Sequence, residues 1–128
     1  PPASAEWVNV DLTSDASLKE ALEGVRRRHG ERIASVIHLA AMTDHKACET
    51  DPARAALVNE TGARNVASAA RLTGAHMVYV STNSVSNGRG ETPFSTADVP
   101  DPQDVYGRSK YAGELAVREV LTTFYNVA

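Results

Sequence analysis

The sequence predicts an α/β fold, part of a doubly wound parallel sheet, in a single domain over residues 1–128. Three observations carry that prediction. The apolar run Ala34-Ser35-Val36-Ile37-His38-Leu39-Ala40-Ala41 has the length and continuity of a strand covered on both faces, and Met77-Val78-Tyr79-Val80-Ser81 is a further strand candidate. Segments of helical spacing alternate with them. Residues 83–103 show no period and carry Gly88, Gly90, Pro93, Pro100 and Pro102, as a functional loop or lid would.

In chain order, residues 7–12 alternate, with Val8, Val10 and Leu12 on one face, and predict a first short strand. Thr13, Ser14 and Asp15 offer caps for a helix through Leu18, Ala21, Leu22 and Val25 that Gly30 closes. Arg26, Arg27 and Arg28 fit its solvated C-terminal end. Met42-Thr43-Asp44 reads as a turn after the second strand. Asp51 and Pro52 are an N-cap and first residue for a helix ending at Gly74, with Asn59, Gly62, Ala63, Val66 and Ala70 on its inner stripe. A last helix from about residue 104 to 121 carries the stripe Tyr106, Lys110, Gly113, Val117, Val120 and Leu121, continuing to Phe124.

With 128 residues, 42% of them hydrophobic, the chain has room for one modest core. A net charge of -3 and the lack of a basic block argue against nucleic acid as a partner. The single cysteine, Cys48, rules out an internal disulfide and fits a reducing compartment. No apolar run reaches the length of a membrane span, and the Pro1-Pro2-Ala3-Ser4 start lacks signal-peptide features, so the expected location is the cytoplasm.

Tyr106 and Lys110, four apart on a helix, point the same way. A phenol titrates near pH 10, and general acid/base work at neutral pH favours about 7, a gap of roughly 4 kcal/mol. A cation about 4 Å away at an effective dielectric of about 20 supplies an interaction of that size. An ordinary half-buried tyrosine beside a solvated lysine is the competing reading. Asn59 is an amide on a packing face and needs partners, either backbone groups of the neighbouring loop or a ligand. Ligands of doubly wound sheets bind beyond the carboxyl ends of the strands, where Thr43, Thr82, Asn83 and Ser84 fall. His38, His45 and Cys48 are ligand types that zinc accepts, but a core histidine is the commoner fate of His38 within an apolar strand.

Five ordered motifs, Asp11-Leu12, Val36-Ile37-His38-Leu39-Ala40-Ala41, Val58-Asn59-Glu60-Thr61-Gly62, Val80-Ser81-Thr82-Asn83 and Val105-Tyr106-Gly107-Arg108-Ser109-Lys110, resemble the extended short-chain dehydrogenase/reductase family of nucleotide-sugar epimerases, dehydratases and reductases. The resemblance implies strands three to five of a Rossmann-like sheet, NAD or NADP as cofactor, and a nucleotide-sugar substrate. It implies Tyr106 as general acid/base, Lys110 as its partner and ribose ligand, and Thr82 as the hydroxyl that orients the substrate oxygen. Asp11 and Leu12 would lie beside the adenine, Ala40, Ala41, Thr43 and Asn59 along the cofactor, and Asn83 and Ser84 facing the sugar. The chemistry would be hydride transfer at a sugar carbon. Residues 42–70 are similar to the dTDP-4-dehydrorhamnose reductase branch, whereas Ser84-Val85-Ser86-Asn87-Gly88 is closer to UDP-sugar 4-epimerases.

The family's glycine-rich turn, which holds the cofactor pyrophosphate at a helix N-terminus, has no counterpart here. The expectation is therefore the middle of a longer enzyme, with little cofactor affinity of its own. The strand at 8–10 should lie unpaired from that at 36–39 or move into an empty central position. A cofactor-sensing or regulatory subunit of the same fold is the non-catalytic alternative. Tyr111, Leu115 and Ala116 form a second apolar stripe, and the resemblance implies a homodimer through the helices holding Asn59 and Tyr106.

Overall fold

The computed structural model describes residues 7–30, 32–90 and 93–121. Helix α1, Asp15–His29, starts where the Ser14 side chain accepts the Ser17 N–H. It stops at Gly30, whose φ of 62° turns the chain while its N–H bonds the Arg26 carbonyl. Arg26, Arg27 and Arg28 lie exposed in that last turn, at the negative end of the helix dipole.

Strand β1, Ser35–His38, runs parallel to β2, His76–Tyr79, with Val36 opposite Met77 and His38 opposite Tyr79. Among the described residues these two strands are the whole sheet. The crossover holds α2, His45–Thr50, then α3, Pro52–Ala56, a π-helical turn, Leu57–Thr61, and α4, Gly62–Thr73. Asp51 caps α3 on the Arg54 N–H, with Pro52 at its first position, and Gly74 at φ 68° ends α4. A 3-10 turn, Asn83–Val85, follows β2, and α5 spans Val105–Leu121. The core joins Leu18 of α1, the alanine-rich face of α4 with Val66, Met77 and Tyr79 of β2, and Val117 and Leu121 of α5. Alanines at 63, 67 and 70 let α4 lie close to both strands.

Three expectations need correction. Residues 8–12 form no strand: the Asp11 N–H donates to Ser17 Oγ and the Leu12 carbonyl accepts Asn65 Nδ2 of α4, so side chains take the groups a ladder would use. Among the described residues the segment is unpaired from the strand at 36–39, the first of the two alternatives. Among the described residues only one face of the strands is covered, by α4, and Ile37, Leu39 and Val80 on the other are 62%, 70% and 43% exposed. A helix, α2, stands where only a turn and a connection were expected. Phe124 lies outside the described residues. Among the described residues no helix is long and apolar enough to cross a membrane.

Candidate active site

Helix α5 buries Tyr106, Lys110, Gly113, Val117 and Leu121 together, as the four-residue spacing requires. Its N-terminus is held by α2. Asp104 Oδ1 accepts the Gly107 N–H at 2.6 Å, its Oδ2 lies 2.6 Å from His45 Nδ1, and Glu49 accepts the Val105 N–H at 2.8 Å. Burial pushes the Asp104 carboxyl up, but the Gly107 N–H, His45 and Arg108 outweigh it and hold it below its ordinary value. The His45 ring tilts against Tyr106 at 4.6 Å between centroids, and Cys48 and Ala55 pack in the same small cluster. Tyr106 is thereby supported from the α2 and α3 side.

Lys110 draws its support from the sheet. Its side chain is buried, Nζ donates to the Val80 carbonyl at 2.8 Å, and the ammonium sits 4.4 Å from the centre of the Tyr79 ring. Burial pulls the Lys110 pKa down, against the opposing pull of Glu114. His38 stacks on Tyr79 with centroids 5.7 Å apart; burial first, and Lys110 second, depress its pKa to about 4. Burial, with Glu114 and Tyr106, raises the Tyr79 hydroxyl.

Thr82 lies between two points where α5 touches the chain leaving β2. One is the Lys110 bond to Val80. The other is Gly107, where an added Cβ would stand only 2.3 Å from the Ser84 carbonyl. The Thr82 hydroxyl accepts the Ser84 N–H at 3.2 Å and so caps the turn that carries Asn83 and Ser84. Thr82 and Asn83 line a cleft of about 440 Å³ closed by Phe94, Pro100, Glu114 and Arg118. Ser84 faces a smaller neighbouring hollow with Asn87 and Asp104.

Asn59, 1% exposed, finds backbone partners: Oδ1 accepts the Met42 N–H at 2.7 Å, and Nδ2 donates to the Met42 carbonyl at 3.0 Å and to Ser109 Oγ at 2.9 Å. It sits on the π-helical turn, a feature common at functional sites. It pins the loop after β1, which presents Ala40 and Thr43 exposed and Ala41 half-buried. One turn further along the same helical run, Leu12 packs on Gly62, and Asp11 Oδ1 accepts from both the backbone and hydroxyl of Thr13. That hydroxyl contact lowers the Asp11 pKa.

His38 is a core residue, His45 pairs with Asp104, and Cys48 is buried with its thiol pKa raised by burial. Among the described residues no cluster of three or more His, Cys, Asp or Glu side chains could hold a metal. Sequence reasoning missed Ser109, whose Oγ donates to the Tyr106 carbonyl at 2.8 Å, and also Asp104, Glu49 and Tyr79. Asp104 alone had a signal, as an acidic residue directly before a helix.

Comparison with known proteins adds a decisive observation. The profile of the RmlD substrate binding domain matches residues 3–127. The chain belongs to that family. A dTDP-4-dehydrorhamnose reductase from Streptomyces griseus is 37% identical over 113 residues, 88% of this chain and 35% of the relative. The crystal structure of dTDP-4-dehydrorhamnose reductase from Bacillus anthracis in complex with NADP aligns with a TM-score of 0.78 at 36% identity, over 87% of this chain and 38% of that one. A UDP-Glc/GlcNAc 4-epimerase from Campylobacter jejuni, 22% identical with a TM-score of 0.76 over 93% of this chain and 35% of that one, shares the fold. This member of the RmlD family thus spans 35% of the length of the curated reductases it first matches, and its small parallel sheet with packed helices is the Rossmann-like arrangement of those structures.

Proposed function

We propose that the whole protein is an NAD(P)-dependent nucleotide-sugar reductase or epimerase, in which this chain supplies the acid/base side of the site and the loop that faces the sugar. One observation carries the reading. Tyr106 and Lys110 occupy one buried face of α5, and the turn capped by Thr82 is locked against that helix on both sides. The similarity to dTDP-4-dehydrorhamnose reductases supports it.

The residues present fit the nicotinamide half of a dinucleotide. A buried ammonium at Lys110 lies beside the strand leaving β2, and the loop leaving β1 at the same end carries small, exposed side chains at Ala40 and Thr43. When bound, the dinucleotide supplies or accepts hydride. Lys110 would hold the ribose hydroxyls, Ala40, Ala41 and Thr43 would line the cofactor, and Asp11 and Leu12 would lie beside the adenine. Asn59 would act through the Met42 backbone it grips. Thr82 would orient the reacting sugar oxygen, Tyr106 would move its proton, and Asn83 and Ser84 would contact the sugar.

Two further parts belong to this reading. The helices carrying Asn59 and Tyr106 would form a homodimer interface, using exposed Leu57 and Leu115; a monomer by sedimentation of the whole protein would remove it. The compartment would be the cytoplasm, where the buried free thiol of Cys48 stays reduced.

The test is Tyr106→Phe in the whole protein. Turnover with a nucleotide sugar should fall on the order of 10²–10⁴-fold while cofactor binding persists. Unchanged turnover would favour the regulatory reading.

A further inference from the structure

We infer that Tyr79 is the positioning residue for Lys110, and that Gly113 is the gap in α5 that lets it act. The inference deepens the function proposed above and rests on it for its catalytic meaning.

Tyr79 grips Lys110 at both ends. The face of its ring lies 4.4 Å from the Lys110 ammonium, and its hydroxyl donates to the backbone carbonyl of the same residue at 3.2 Å. A carbonyl inside a helix is normally shielded by side chains. Here the nearest helix position toward the phenol is Gly113, and a Cβ there would stand 2.5 Å from the Tyr79 hydroxyl oxygen and 3.3 Å from Cζ, and 2.4 Å from the Asn59 carbonyl on its other side. His38 backs the ring from β1, so the tyrosine cannot retreat without breaking that stack. An aromatic face beside a cation favours the charged form and fixes where it sits, most strongly when both are out of water. A tyrosine that merely fills the core would not need its π face beside the ammonium.

The groups around the Lys110 head are His38 from β1, the Tyr79 ring from β2 and the Val80 carbonyl just after it, and Glu114 from α5, with Tyr106 one turn away on the same helix. His38 is neutral above pH 7 and Glu114 is unaltered in the variants below, so a change in Lys110 titration reports the ring.

The experiment follows the side-chain carbons of 13C-labelled lysine by NMR against pH. The chain has three lysines, Lys19, Lys46 and Lys110, and Lys110→Met assigns the signal of the last. Tyr79→Phe keeps the ring and should leave the Lys110 midpoint within a few tenths of a unit. Tyr79→Met keeps the bulk, loses the π face, and should lower the midpoint by about half to one unit. Gly113→Ala would press on the Asn59 carbonyl as well as on Tyr79, so Tyr79→Leu, which also removes the π face, carries the test if the methionine variant fails to fold. A midpoint for Tyr79→Met, or for Tyr79→Leu in its place, equal to that of the unaltered chain overturns the inference. In the whole enzyme the basic limb of the kcat profile should move down with the Lys110 midpoint. A midpoint that moves without any change in turnover leaves the positioning intact and defeats the proposed function. A midpoint that stays while Lys110→Met abolishes turnover does the reverse.

Discussion

At Gly107 the helix lacks a side chain because there is no room for one. A Cβ would meet the Ser84 carbonyl at 2.3 Å, Pro102 Cβ at 3.0 Å and Asp104 Oδ1 at 3.0 Å, and the first of these is backbone that cannot rotate away. Gly24, in the middle of α1, is the opposite case: its nearest neighbour is the far end of the Arg28 side chain at 3.2 Å, which can swing aside. Gly107→Ala should therefore destabilise by about 1–3 kcal/mol through overpacking and displace the Thr82 turn. Gly24→Ala should stabilise by roughly 0.5–1 kcal/mol through helix propensity. Urea titrations of both variants check the pair, and equal effects would show that the close approach at Gly107 is unimportant.

Between elements, the connections that matter run through short polar clamps. The π-helical turn brings the Asn59 carbonyl to within 2.4 Å of where a Gly113 Cβ would be, and its side chain spans from Met42 to Ser109. One amide thus joins the loop after β1, the crossover helix and α5. Replacing it leaves the part-buried Met42 N–H and carbonyl without their partner, a cost of about 1–3 kcal/mol, so Asn59→Ala should lower the thermal midpoint measurably. Hydrogen exchange at Met42 should rise in the variant more than at His76, whose N–H donates to the Ala34 carbonyl at 2.9 Å. Helix α2 works in the same manner: six residues would not hold a helix unaided. Its His45 and Glu49 bonds to residues 104 and 105 join it to the start of α5. Periodicity cannot reveal such a helix, because its reason lies more than fifty positions away in the sequence.

For the whole molecule, the buried imidazole of His38 links stability to pH. Its folded pKa of about 4 lies below the ordinary 6.5, so between those values the unfolded chain binds a proton that the folded one refuses. That contribution is complete above pH 6.5 and is lost as pH falls toward 4, by at most about 3 kcal/mol. His38→Phe, which can keep a stack on Tyr79, should flatten denaturant stability between pH 6.5 and 4. A variant that loses stability as steeply as the parent over that range would remove His38 as the cause. The Asp104 carboxyl, held below its ordinary value, adds a separate loss only at more acidic pH.

The sequence by itself determined the α/β class, the ends of α1 at Ser14 and Gly30 and of the crossover helices at Asp51 and Gly74, and the common face of Tyr106 and Lys110. Each of these follows from local chemistry: a capping side chain, a residue free to take positive φ, a spacing of four on a helix. Tertiary structure alone decided that residues 8–12 are not a strand, that Asn59 binds backbone, and that Lys110 rests on Tyr79. Those outcomes depend on which surface arrives opposite a residue once the chain has folded, and neither alternation nor helical period carries that information.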